Sequence, residues 1–184
     1  MSQISTISLL SPDERVHRDP GARSMAFFVR KLPVLVGKEL IAELKQVVID
    51  NGNVNARICL HSASDTVHQD MIILEHKGNY YPPHRHPGKA ETFSVLEGVL
   101  GIVCYDENGD VADARAVQAG EIYRLAIEHY HLIMPLTPTV IYHESKPGPF
   151  LGPDDLIVAD WAPGFDDEAG AEKLMSKAME LLVF

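Results

Sequence analysis

The chain has 184 residues, 46% hydrophobic and 23% charged, enough apolar content for a substantial core. Its 16 Lys and Arg against 26 Asp and Glu leave a formal charge of −10, which argues against a nucleic-acid backbone or an anionic membrane as partner. Two cysteines, Cys59 and Cys104, are no disulfide framework; with no signal-peptide layout and no apolar run of about 20 residues, a cytoplasmic protein is expected.

Residues 1–24 are polar, with "SPDER" and "DPGAR" as turn signals. "MAFFVRKLPVLV" (25–36) reads as a strand that Pro33 confines to an edge or interrupts. "GKELIAELKQVVIDNG" (37–52) sets Leu40, Ile41, Leu44, Val47 and Val48 on one helical face and closes at Asn51-Gly52. The period then drops to two. Strands are expected near 55–61, 70–76, 92–96, 99–105, 112–117, 121–125, 131–135 and 139–145, with hairpin turns at Glu97-Gly98 and "DENGD" (106–110). Many short strands at this spacing predict a β-sandwich or barrel. "KPGPFLGPDD" (146–155) reads as a loop, and "DEAGAEKLMSKAMELLVF" as a closing helix with Leu174, Met175, Ala178, Leu181 and Leu182 on its apolar face. The expected organisation is one domain: an extension over 1–52, a barrel over 53–163 and a helix over 164–184.

"PPHRHPGKAETFSVLEG" (82–98) carries the chemistry. Residues two apart on a strand point the same way, so His84 and His86 project together. Buried imidazoles need a partner for each nitrogen, and a metal ion takes one nitrogen from each ring. Glu91 shares a face with Phe93 and Val95, and a carboxylate on an apolar face also calls for a cation. A third histidine is offered by "EIYRLAIEHYHLIMP" as His129 or His131, which parity alone does not separate.

Gly78, His84-x-His86, Glu91 and Gly98 stand at the spacing of the first cupin motif, and Gly120 to His131 fits the second. The chain therefore resembles the cupins. Ala126 and Glu128 replace the Pro and Gly usual before the second-motif histidine, and Pro135 stands where Asn is common. Together with "NARICLH", "YHESKPGPF" and "DWAP", the segment 53–163 resembles the WbuC-type cupin metalloproteins, whose genes often lie in surface-polysaccharide clusters. The resemblance implies an all-β fold, a single jelly-roll (double-stranded β-helix) barrel with flanking N- and C-terminal helices. It implies His84, His86, Glu91 and His131 as ligands of one divalent transition metal, Fe, Zn, Ni or Mn. It also implies a small oxygen-rich substrate, such as a sugar or nucleotide sugar, and a homodimer.

Arg57, Cys59 and His61 share a strand face, as do Tyr142 and Glu144. Glu144 and His61 are the candidate catalytic bases, and Arg57, His61, Lys89 and Tyr142 the candidate substrate contacts. At most one of the consecutive Tyr80 and Tyr81 is expected in the pocket. A metal-dependent oxygenase or isomerase competes with a non-catalytic module that senses or sequesters a small ligand. A metal-free barrel is the third possibility, and it predicts Glu91 paired with Arg or Lys instead of the imidazoles.

Overall fold

The computed structural model describes residues 7–11, 13–19, 22 and 24–182. Residues 1–6, Pro12, Pro20, Gly21 and Arg23 of the expected amino-terminal turns, and Val183-Phe184 of the expected closing helix, lie outside the described residues. The elements are β1 (Val16–Asp19), β2 (Met25–Val29), α1 (Lys38–Asp50), β3 (Ala56–Cys59), β4 (His68–His76), β5 (His84–Arg85), β6 (Thr92–Glu97), β7 (Val99–Tyr105), β8 (Val111–Gln118), β9 (Ile122–Arg124), β10 (Tyr130–Pro135), β11 (Thr139–Pro147), β12 (Ile157–Val158) and α2 (Glu168–Leu181). A 3-10 turn, Gly152–Asp155, precedes β12.

Two sheets form, in the orders β1-β2-β3-β4-β11-β6-β9 and β12-β5-β10-β7-β8, and they do not hydrogen-bond into one closed barrel. Among the described residues, every strand pairing is antiparallel except that of β2 with β3. Between the sheets, alternate residues of β6, β7 and β11 (Phe93 and Val95, Leu100 and Ile102, Val140 and Tyr142) form one buried cluster. The opposite face of the larger sheet carries Ala56, Ile58, Ile72, Leu74 and Ile141, against which α1 packs. All five residues of the predicted α1 stripe are buried, each contributing roughly 1.5–3 kcal/mol relative to exposure. On the far side of the smaller sheet, Val103, Tyr105, Leu132 and Met134 pack against Ala178 and Leu182 at the end of the chain. Strand β7 is thus covered on both faces, which explains its unbroken apolar sequence.

The structure differs from the expectations at four points. The strand expected over 25–36 stops at Val29, and residues 30–36 are irregular, with Leu32 and Leu35 exposed. This strand is not an edge either: β1, a short polar strand that the sequence did not announce, pairs with β2 on its far side. Strand β11 runs two residues beyond the expected 145, so Lys146 belongs to a strand and not to the loop. In α2, Leu174, Met175 and Ala178 face inward, whereas Leu181 is exposed. No helix among the described residues is long and apolar enough to cross a membrane.

Candidate metal centre

The smaller sheet sets two of the three clustered histidines side by side. His84 on β5 pairs with His131 on β10, and their ring centroids are 4.5 Å apart. His86 follows β5 in an isolated bridge to Lys89, its ring edge-on to that of His84 at 5.2 Å. One ring nitrogen from each of His84, His86 and His131 falls within a cluster no wider than 4.8 Å. His129 precedes β10 and is not in that cluster, because the strand begins at Tyr130 and only His131 enters the register with His84.

Backbone carbonyls fix the tautomers of two rings. The Nδ1–H of His84 donates to the Pro82 carbonyl at 2.9 Å, and that of His86 to the Asp155 carbonyl at 2.6 Å. A carbonyl only accepts, so each neutral ring keeps its lone pair on Nε2. That lone pair of His86 faces Glu91 Oε1 at 3.1 Å, and His131 Nε2 lies 3.0 Å from Glu91 Oε2. Glu91 itself is 2% exposed. A lone pair aimed at a buried carboxylate repels it unless a proton or a metal cation lies between them.

The larger sheet supplies the opposing wall through the inward positions of β11. Tyr142, Glu144 and Lys146 share that face by parity. Lys146 Nζ contacts Glu91 Oε1 at 2.8 Å, Glu144 Oε1 at 2.9 Å and His86 Nε2 at 3.5 Å. Glu91 therefore does both things that the competing expectations kept apart: it faces two imidazoles, and it is paired with a lysine. Burial pushes the Glu91 carboxyl up, but Lys146 and the neighbouring histidines outweigh it and hold the group well below the usual carboxylate range. Burial likewise opposes the charge on Lys146, and Glu144 and Glu91 reverse the sign, raising its pKa. His84 is lowered to about 3, by burial first and then by His131, which keeps its imidazole neutral. Burial also lowers His86, yet the hydrogen bond and charge of Glu91 carry it above its ordinary value.

The other candidates are dispersed. Glu144 stands in the centre, held by Lys146. Tyr142 is buried further along β11 and donates to Glu75 Oε2 at 3.2 Å. His61 has Nδ1 3.1 Å from the Asp70 carbonyl and stacks edge-on against Phe28; burial lowers its pKa. Arg57 donates to Ser24 Oγ at 2.5 Å and lines a separate cleft. Lys89 is paired with the buried Asp155 and donates to the Pro149 carbonyl, tying the turn after His86 to the 149–155 loop. Tyr80 and Tyr81 both line the cleft with Arg57, since residues 77–83 form no strand and parity does not apply to them.

Three residues of the centre were missed from sequence. Lys146 has a signal, its parity with Glu144, which the loop assignment concealed. Asp155, 0% exposed, backs His86 through its carbonyl, and nothing in the sequence places that loop behind the ring. Glu75 enters only through Tyr142.

A two-sheet jelly roll with a His-x-His pair, a following glutamate and a later histidine gathered between its sheets decides the architecture. The fold is a cupin fold. A family model described as a domain of unknown function, DUF6016, matches residues 37–117. No curated protein matches the chain. Among solved cupin-fold structures, the capsular polysaccharide assembling protein CapF from Staphylococcus aureus is 18% identical over 57% of this chain and 29% of its own, with a TM-score of 0.47. Oxalate decarboxylase from Bacillus subtilis is 13% identical over 57% of this chain and 27% of its own, with a TM-score of 0.46. A double-stranded β-helix protein from Klebsiella pneumoniae is 20% identical over 58% of this chain and 80% of its own, with a TM-score of 0.44. The chain thus spans under a third of CapF and of the decarboxylase. The cupin assignment rests on its own topology and residue spacing.

Proposed function

We propose that this cupin holds one divalent transition metal on His84, His86 and His131, with Glu91 as the fourth protein ligand, and uses it on a small oxygen-rich substrate such as a sugar or nucleotide sugar. The observation that carries the proposal is the cluster itself: one ring nitrogen from each of the three histidines lies within 4.8 Å of the others, carbonyls hold the Nδ1–H groups of His84 and His86, and Nε2 of His86 and of His131 face the buried Glu91 carboxylate. Three imidazoles and a carboxylate suit Fe, Mn, Ni or Zn and suit Ca or Mg poorly. Such an ion supplies Lewis-acid or oxygen chemistry when bound. Around it, Glu144 is the candidate proton acceptor, Lys146 is paired with both Glu91 and Glu144, and the Asp155 carbonyl fixes the His86 ring.

The test is the metal content of protein purified without chelator, for the wild type and His86→Ala. Near one equivalent in the wild type and loss in the variant is the expected result. No metal in either, with both folded, overturns the proposal and favours the metal-free barrel, whose own support is the Lys146–Glu91 ion pair at 2.8 Å. A non-catalytic sensing or sequestering role uses the same centre, and turnover of candidate sugars separates it from an enzyme.

A homodimer in a reducing, cytoplasmic setting belongs to the same proposal. Cys59 and Cys104 are both buried free thiols, and β8 is the longest strand at a free sheet edge. A light-scattering mass of only 20.3 kDa overturns the dimer.

A further inference from the structure

A second cavity, of about 710 Å³, opens at the amino-terminal ends of the parallel pair β2–β3, against the end of β4 and the segment that follows α1. None of His84, His86, Glu91 or His131 lines it. Arg18, Arg57 and Lys77 do, with Asp19 as the one carboxylate among its lining residues. On a chain of net charge −10 this is a local reversal of sign.

The side-chain partners of these cations make the reversal meaningful. Arg57 donates to the neutral hydroxyl of Ser24, and Lys77 donates to the Leu136 carbonyl at 3.2 Å. Among the described residues, none of the three cations sits in an ion pair. Like charges converging on one concavity repel one another, and an anion reverses the sign of that interaction. A guanidinium offers planar paired donors suited to phosphate or carboxylate oxygens. Apart from Asp19, the rest of the described wall carries no further carboxylate, lysine or arginine and is mostly polar, with Ala22, Met25 and Val54 as its apolar part. Asn53 and the Tyr81 hydroxyl, the latter accepting from Asn55 at 3.4 Å, suit hydroxyl groups. The volume falls in the range of small-molecule sites, about 300–1,000 Å³.

We propose that this cleft binds a small anionic, hydroxyl-bearing molecule of the size of a sugar phosphate or sugar acid, at a site distinct from the histidine cluster. The anionic group lies against Arg57, with Lys77 and Arg18 flanking it, and the hydroxyls meet the Asn53 and Tyr81 side.

The test uses the full chain stripped of metal with chelator, titrated calorimetrically with glucose 1-phosphate, glucose and inorganic phosphate. Glucose 1-phosphate is expected to bind at one site with a Kd below about 10 mM. Arg57→Gln is expected to weaken it about tenfold or more. Lys77→Gln, at an exposed position whose amide can still donate towards the Leu136 carbonyl, is expected to weaken it severalfold, with its fold checked by circular dichroism. His86→Ala, which disables the proposed metal centre, is expected to leave it unchanged, so this site and that centre stand or fall separately. No heat at that concentration, or affinity unaltered in both the Arg57 and Lys77 variants, overturns the site. Equal affinity for glucose 1-phosphate and inorganic phosphate overturns recognition of the hydroxyl-bearing part.

Discussion

Among the described residues, no cation forms an ion pair with the Glu75 carboxyl. It is 5% exposed, bonded to the Tyr142 and Tyr81 hydroxyls, and burial raises its pKa from 4.5 to about 7, with Glu144 adding to the rise. A carboxyl raised on folding binds its proton more tightly in the native state. Its contribution to stability is therefore full below the unfolded value of 4.5 and is lost as pH rises through about 7. The difference of about 2.5 pKa units corresponds to about 3 kcal/mol, most of which falls between about pH 5 and pH 8. Glu75→Gln keeps a neutral acceptor for the tyrosine hydroxyls but removes the titration. Urea denaturation of both proteins at those two pH values measures the effect. The variant should be near wild-type stability at the lower pH and gain about 2.5 kcal/mol on the wild type at the higher one. An equal difference at both pH values would refute the assignment of an uncompensated buried carboxyl at Glu75.

Other perturbations test separate parts of the structure. Lys146→Met removes the cation that competes for Glu91, so affinity for added metal should rise about tenfold or more in chelator competition, while the metal-free protein loses about 3–5 kcal/mol by leaving Glu144 without its ion pair and Glu91 with imidazole neighbours alone; unchanged or weaker metal binding refutes the competition. His129→Ala should retain full metal content, and loss of metal there would move the third ligand from His131. Gly98→Ala places a Cβ 2.6 Å from the Thr139 carbonyl at a φ of +79°, which should cost more than about 2 kcal/mol in denaturant titration. Asp167→Ala removes the carboxylate that accepts from the Gly170 N–H at 3.0 Å at the start of α2 and should cost about 1 kcal/mol; no change there would show that the cap is idle.

Local periodicity made α1 legible, because its five apolar residues face a single partner, the outer side of the larger sheet. Gly98 marked a turn for a related reason: a positive φ beside a close backbone leaves room for no other residue. Strand β1 was illegible, since "VHRD" has no apolar face of its own and forms only because β2 offers an edge. At the centre, His84, His86 and His131 do lie together, but strand parity is only part of what places them. Strand β5 is only two residues long, and His86 is placed by its bridge to Lys89 and by the Asp155 carbonyl, not by strand parity. Lys146 was hidden by composition: "KPGPF" reads as a loop, yet pairing with β4 carries β11 as far as Pro147. Contacts made by distant segments, such as Asp155 behind His86, leave no mark in the local sequence.

Strand β7 is enclosed on both faces and hydrogen-bonded along both edges, by β8 and β10. Its amides have no route to solvent short of dismantling the smaller sheet, so their deuterium uptake reports the global opening of the molecule. His131 lies directly opposite Cys104 of this strand. Deuterium uptake around His131 should therefore be among the slowest in the chain. The β2–β3 pair, which lies between β4 and the β1 edge of the larger sheet, is expected to exchange by smaller local openings. The strand that carries His131 is in this way anchored to the last part of the protein to come apart.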